Sequence, residues 1–266
     1  MQTQLQPIIT DVELELKKNP SASPYAVFDF DDTCVMHDIQ QALMALVCRN
    51  GLIRYSLLLG DEGRSLTKEA YHEAVFRHYW EMIHRGVTFE AYIYALRTLV
   101  GYSADEARSL YEQIVKDQGT LMGESELFGV TITKGFCVNE PVRELMETLH
   151  AKGVRLCVIS ASPQLLVEVA LREDAFPEVT CVGTRLVEEG GAFVDKLVEP
   201  TPVEHGKILC VQELFGSATR PVLGIGDSMN DFSMIEYSTV HAAVDRGNQL
   251  AAEAKKRDWH LITHSI

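Results

Sequence analysis

The sequence predicts an α/β fold, a Rossmann-like doubly wound parallel sheet, interrupted after its first strand by a helical domain. Three observations predict it. Short β-branched apolar runs bounded by turn or polar residues occur at 25–30, 154–159, 179–182, 222–225 and 240–244. Helix-like segments follow these runs, and that alternation is the pattern of a parallel sheet covered on both faces. More than 120 residues separate the first two runs, whereas an ordinary βα connection takes about two to six. The 266 residues suit one large domain or two modest ones, at about 150 residues per domain. A chain of this length buries roughly 70–75% of its unfolded surface, so it folds without a metal or disulfide staple.

Taken in order, the first strand ends in Asp29-Phe30-Asp31-Asp32-Thr33. The long insertion reads as helix at 40–47, 67–85, 89–99 and 103–116, the last opening on the pair Ser103 and Glu106, spaced as a capping box. The chain returns to the core near Lys134, and Asn139-Glu140-Pro141 opens a helix that Gly153 closes. After the second strand, Ser162-Pro163 supplies a cap and a first-turn proline for a helix at 165–171. At 184–198, Glu188-Glu189-Gly190-Gly191 separates two short runs that can pair as a hairpin. Ser228 precedes a helix at 229–237. The expected domains are therefore a core of 1–36 and 134–266 and an inserted helical domain of 37–133.

Charge and cysteine usage narrow the partners. Lys and Arg number 24 against 38 Asp and Glu, a formal net charge of −14. That balance opposes a nucleic-acid footprint or an anionic membrane, and a site for phosphate would need a local cation. The six cysteines include no CxxC pair and sit mostly in apolar runs, so they read as buried thiols of a reducing, cytoplasmic compartment. No secretory signal or membrane-length apolar stretch is visible.

The chemistry gathers at strand ends, where open α/β sheets bind ligands. Asp29 and Asp31 follow the first strand; Gly226-Asp227-Ser228-Met229-Asn230-Asp231 follows the fourth. Two acidic clusters at neighbouring strand ends repel each other unless a hard dication with oxygen ligands joins them, and Mg2+ is the first choice. Ser160, followed by Ala161, offers a hydroxyl and backbone amides before a helix start. Lys207 is a candidate for the cation that the net charge seems to deny. Read singly, each has a plainer alternative: an acidic loop capping the next helix for Asp29 and Asp31, helix capping for Asp227 and Ser228, an N-cap region position for Ser160, a surface position for Lys207. His72, His78 and His84 recur every six residues, which does not stack them on one helical face, so they read as surface or core histidines rather than zinc ligands.

In this order the four elements resemble the motifs of the haloacid dehalogenase superfamily of phosphohydrolases: Asp29-x-Asp31-x-Thr33 the first, Ser160 the second, Lys207 the third, Gly226-Asp227-Ser228-x-Asn230-Asp231 the fourth. The 37–133 insertion falls where that family places a helical cap. The nearest look is to phosphoserine phosphatase-like and phosphorylcholine phosphatase-like enzymes. The resemblance implies a phosphomonoester hydrolase in which Asp29 is the nucleophile and forms an aspartyl-phosphate, and Asp31 is the general acid and base. It implies Mg2+ held by the Asp29 carboxylate, the Asp31 backbone carbonyl and Asp227, with Asp231 binding through water or orienting Lys207. Ser160, the Ala161 amide, Lys207 and Asn230 would hold phosphate oxygens. A carboxylate at Asp31 favours phosphoryl transfer over carbon–halogen hydrolysis in this family.

The residue nine positions after the nucleophile faces the substrate amine in the phosphoserine phosphatase-like branch, and that position is Asp38. The expected substrate is then a small phosphomonoester with an amine or quaternary ammonium head, with Tyr79 and Trp80 as candidate cation-π partners. Helix capping is the alternative for Asp38, and packing the alternative for the two aromatics. Two rival classes stand beside the enzyme. A phospho-accepting signalling module uses similar residue types on a much shorter chain, and a catalytically silent binding protein would share the fold.

Overall fold

The computed structural model describes residues 2–18, 23–118 and 123–263. Helix α1 (Gln2–Lys18) leads into strand β1 (Tyr25–Phe28), short strand β2 (Val35–Met36) and helix α2 (Ile39–Arg49). Helices α3 (Lys68–His84), α4 (Thr88–Arg97) and α5 (Ala104–Gln118) follow, then strands β3 (Gly123–Leu127), β4 (Val130–Lys134) and β5 (Cys137–Val138). Next come α6 (Glu140–Ala151), β6 (Arg155–Pro163), α7 (Gln164–Glu173), β7 (Thr180–Thr184), β8 (Leu186–Glu189) and β9 (Ala192–Leu197). The chain ends with α8 (His205–Phe215), β10 (Leu223–Gly226), α9 (Phe232–Tyr237), β11 (Val240–Val244), α10 (Gln249–Lys256) and β12 (His260–Ile262).

Six strands form one parallel sheet in the order β12-β11-β10-β1-β6-β7. Its faces are buried separately. Along β1, Ala26 and Phe28 join the larger core while Tyr25 and Val27 pack with Val211 and Met234 on the other side. A strand buried on both faces has no polar alternation, which is why the sequence shows it as a continuous apolar run. The chain leaves β1 for β6 on one side and later returns to β10 on the other, so the strand order switches direction beside β1. That crevice is where this sheet type binds ligands.

Between β2 and β5 the chain forms α2 to α5, as expected, and then a hairpin, β3–β4, that the helical reading does not include. Phe128 and Gly129 both take positive φ, 50° and 73°, the geometry of a two-residue hairpin turn, and the hairpin's second strand, Val130–Lys134, alternates apolar and polar over Val-Thr-Ile-Thr. The capping box at α5 forms in full: the Glu106 amide donates to Ser103 Oγ at 3.2 Å, and the Ser103 amide donates to Glu106 Oε2 at 2.9 Å. The hairpin expected at 184–198 is β8–β9.

Other elements also differ from expectation. Helix α1 was not anticipated, although Leu5, Ile8 and Val12 form a helical stripe that is buried in the main core. Strand β12 is three residues long, too short to carry a periodic signal. Strand β6 runs on through Pro163, so Ser162 does not cap α7; its hydroxyl instead donates to Asp31 Oδ2 at 2.8 Å. All six cysteines are free thiols, four of them buried. Among the described residues no helix is long and apolar enough to cross a membrane.

Candidate active site

Register places the site. Phe28 pairs with Ile225 of β10 and Val158 of β6, so Asp29, Asp227 and Ser160 leave the carboxyl edge of the sheet side by side. Lys207, in the first turn of α8, is 1% exposed; its Nζ lies 2.6 Å from Asp29 Oδ1 and 2.5 Å from Asp231 Oδ1. Gly206 lets that turn approach, since a Cβ there would sit 1.9 Å from the Thr201 carbonyl oxygen. Gly226 does the same for Asp231, whose Cβ and carboxylate would lie 2.3–2.6 Å from an added Cβ.

Asp231 folds back over the strand end. Its Oδ2 accepts the amides of Asp227 and Ser228, each at 3.1 Å, and the Ser228 hydroxyl at 3.2 Å. This turn delays the helix, which starts at Phe232 rather than at 229. Asp231 is thereby committed to orienting Lys207 and the loop. Asp29, Asp227 and Asp231 each offer a carboxylate oxygen within 4.8 Å of one another, all buried. Three buried carboxylates at this spacing fit a hard divalent cation such as Mg2+ by donor type and charge.

Burial, Asp231 and Asp31 push the Asp29 carboxyl up to about 8 against the pull of Lys207. Burial also raises Asp227 well above the carboxylate range, helped by Asp231 and Asp29. On Lys207, burial favours the neutral amine, but Asp231 and Asp29 outweigh it and hold the ammonium form.

Asp31 is pinned differently. Its Oδ1 accepts the Ile39 amide at 2.7 Å, and Oδ2 accepts Ser162 Oγ at 2.8 Å and Ser160 Oγ at 3.2 Å. Burial and Asp38 raise its carboxyl to about 8, despite the Ile39 and Ser162 bonds. Ser160 is fully buried and turned toward Asp31, while Ala161 and Ser162 reach the pocket wall. Asp38 does cap α2: Oδ1 accepts the Gln40 and Gln41 amides at 2.8 and 3.2 Å. It also lines the pocket, and burial and Asp32 raise it to about 6.

These groups bound one pocket of about 210 Å3, with Asn230 and Lys207 on its core side. From α4, Thr88 and Tyr92 complete the wall. Tyr79 and Trp80 do not line it. Tyr79 is fully buried, and Trp80 stacks on Phe76 at 6.0 Å, so both are packing residues of α3. His72 is a core residue; its Nε2 accepts the Ile53 amide at 3.1 Å, which leaves the proton on Nδ1, 2.6 Å from the Lys68 carbonyl. Sequence reasoning missed Arg246, which lies after β11 and whose Nη1 contacts Asp32 and lies 2.9 Å from Asp227 Oδ2. It also missed Thr88, Tyr92 and the role of Ser162. The Ser-Ala-Ser spacing was a usable signal for Ser162; Tyr92 and Arg246 carried none.

Fold and site define an α/β enzyme whose carboxylate chemistry sits at the sheet's switch point under an inserted helical segment. The family model for haloacid dehalogenase-like hydrolases matches residues 26–236. The chain belongs to that family, as its four motifs implied. No curated protein matches it by sequence. Among solved structures, a protein of unknown function from Bordetella pertussis Tohama I superposes with a TM-score of 0.66 at 16% identity, covering 91% of this chain and 99% of that one. A phospho-aspartyl intermediate analogue of phosphoserine phosphatase gives 0.52 at 13% identity over 92% and 95% of the two chains. Cytosolic 5′-nucleotidase IIIB bound to cytidine gives 0.55 at 14% identity over 96% and 84%. The shared fold is therefore one that phosphatases use.

Proposed function

We propose that the protein is a magnesium-dependent phosphomonoester hydrolase working through an aspartyl-phosphate on Asp29. The observation that carries this reading is Asp29 held by Lys207 at 2.6 Å on the floor of a pocket that Asp31 also lines. An Asp29 oxygen attacks phosphorus and the bond to the leaving oxygen breaks, while Asp31 in its acid form gives that oxygen a proton. Asp31, now a carboxylate, takes a proton from water. The water oxygen attacks phosphorus, the Asp29–phosphorus bond breaks, and phosphate leaves. Lys207, Asn230, Ser160 and the Ala161 amide hold the phosphoryl oxygens. Asp29, Asp227 and the Asp31 backbone carbonyl are the residues to hold Mg2+, with Asp231 ordering Lys207 beside them. When bound, the ion supplies positive charge against the phosphoryl oxygens.

Residues 37–133 act in this reading as the cap. A pocket of about 210 Å3 suits a small substrate. Its cationic lining residues, Lys207 and Arg246, both come from the core. The cap side thus offers a substrate carboxylate no cationic partner, and the reading favours a phosphomonoester with an amine or quaternary ammonium head over phosphoserine. The free thiols and acidic surface support a cytoplasmic enzyme of small soluble substrates. The test is hydrolysis of an aryl phosphate with Mg2+. Wild type should turn it over and lose activity with a chelator, and Asp29→Asn should be inactive. Activity surviving in Asp29→Asn would overturn the nucleophile, and full activity without any divalent ion would overturn the metal.

A further inference from the structure

Tyr92 is the tyrosine of its segment that lines the active pocket; Tyr79 and Tyr111, likewise without a ring or cation contact among the described residues, are fully buried and do not line it. Tyr102 has the Arg54 guanidinium 3.7 Å above its ring. Tyr71 donates its hydroxyl to the Tyr55 carbonyl at 2.6 Å. Tyr94 packs against the His78 ring at 5.1 Å. Among the described residues, no ring or cation covers Tyr92, and no hydrogen bond reaches its hydroxyl. Yet the ring is half-buried in the wall of the active pocket. Thr88 and Tyr92, four apart on α4, share the face that meets the core.

The surroundings of the ring are negative. Burial, then Asp38 and Asp31, hold its hydroxyl well above the usual tyrosine range. Both cations of the pocket are committed, Lys207 to Asp29 and Asp231, Arg246 to Asp32 and Asp227. Asp38 spends Oδ1 on capping α2, and no protein donor among the described residues reaches its Oδ2. An uncovered aromatic ring and an unpaired carboxylate oxygen in one small pocket are complementary to a cation that the protein does not supply.

We propose that Tyr92 determines specificity for the leaving group, taking an ammonium head against its ring while Asp38 faces the same charge. The inference rests on the phosphatase reading above and adds the residue that chooses among phosphomonoesters. It also replaces Tyr79 and Trp80, which point into packing, with the aromatic that lines the site.

The experiment compares matched esters: phosphocholine and phosphoethanolamine, each beside the neutral ester in which carbon replaces the charged nitrogen. The readout is the ratio of kcat/KM within each pair, so a general loss of activity cancels. Wild type should prefer the charged member of at least one pair. Tyr92→Leu should lose about two- to thirtyfold of that preference, the range of a cation-π contact, chiefly through KM, and Tyr92→Phe should retain it. An unchanged ratio in Tyr92→Leu, or no preference in wild type, would overturn the assignment. Should wild type hydrolyse neither these esters nor an aryl phosphate, the phosphatase reading fails. The site is then decided separately by calorimetric titration with tetramethylammonium: binding by wild type that Tyr92→Leu loses supports it, and absence of binding overturns it.

Discussion

In the proposed reaction Asp31 protonates the leaving oxygen, which requires its acid form at neutral pH, and its surroundings favour that form. Burial and Asp38 hold it at about 8, so the acid form is present below that pH and is lost above it. With Mg2+ present to keep Asp29 ionised, turnover should therefore decline as pH rises past about 8. Asp31→Asn should lower the rate by about 10²–10⁴ and remove that alkaline limb; a limb unchanged in the variant would assign it elsewhere. Asp29, Asp31, Lys207, Asp227 and Asp231 were legible in the sequence because each follows a strand or opens a helix, and short local spacing fixes its neighbours. Tyr92 and Arg246 were not. Each reaches the pocket only through packing of α4 against β6 or through the turn after β11, contacts that no local pattern encodes. Asp38 was legible twice over, and the structure shows one carboxylate oxygen serving the helix cap while the other stays open.

Hairpin β8–β9 belongs to the core yet grips the inserted helices. The Phe193 amide donates to the Tyr102 carbonyl at 2.7 Å, and the Gly101 amide donates to the Phe193 carbonyl at 2.9 Å. Asp195 accepts Arg97 Nε and Tyr55 Oη, each at 2.7 Å. These contacts brace the C-terminal end of α4, the helix that carries Tyr92. The ion pair is largely exposed, so Asp195→Ala should cost less than about 1 kcal/mol of global stability. Amide hydrogen exchange at Gly101 and Phe193 should nevertheless accelerate, because local opening precedes global unfolding. Unaltered exchange at both amides would show that the hairpin does not hold the helices. Strong local signals, such as the Ser103–Glu106 box, located helices well. Element ends failed where a tertiary bond took the capping group, as Asp31 took Ser162.

At the scale of the molecule, the pocket couples folding to protons. The carboxyls of Asp29, Asp31 and Asp38 stand at about 8, 8 and 6 in the folded protein, against about 3.9 in an unfolded chain. The folded state therefore binds more protons, and the resulting stability is full below about pH 4 and lost as pH rises through 6 to 8. Metal-free protein should show a Tm that falls between about pH 5 and pH 8, and Mg2+ should raise the Tm more at the upper end, where it meets ionised carboxylates. A Tm indifferent to Mg2+ at the alkaline end would contradict the proposed site. One further property follows from the ribbon in which β2 pairs with β5, Val35 opposite Val138 and Met36 opposite Cys137. The insertion leaves and re-enters the sheet at adjacent points, so its two ends are already joined in space. Such a segment can be exchanged without lengthening the chain it interrupts, provided its contacts with β8–β9 are rebuilt. Under the proposed function, substrate choice lies in this insertion and bond chemistry at the sheet, so a chimaera that carries another cap on this ribbon and matches its contacts with β8–β9 should keep the nucleophile while changing what it attacks.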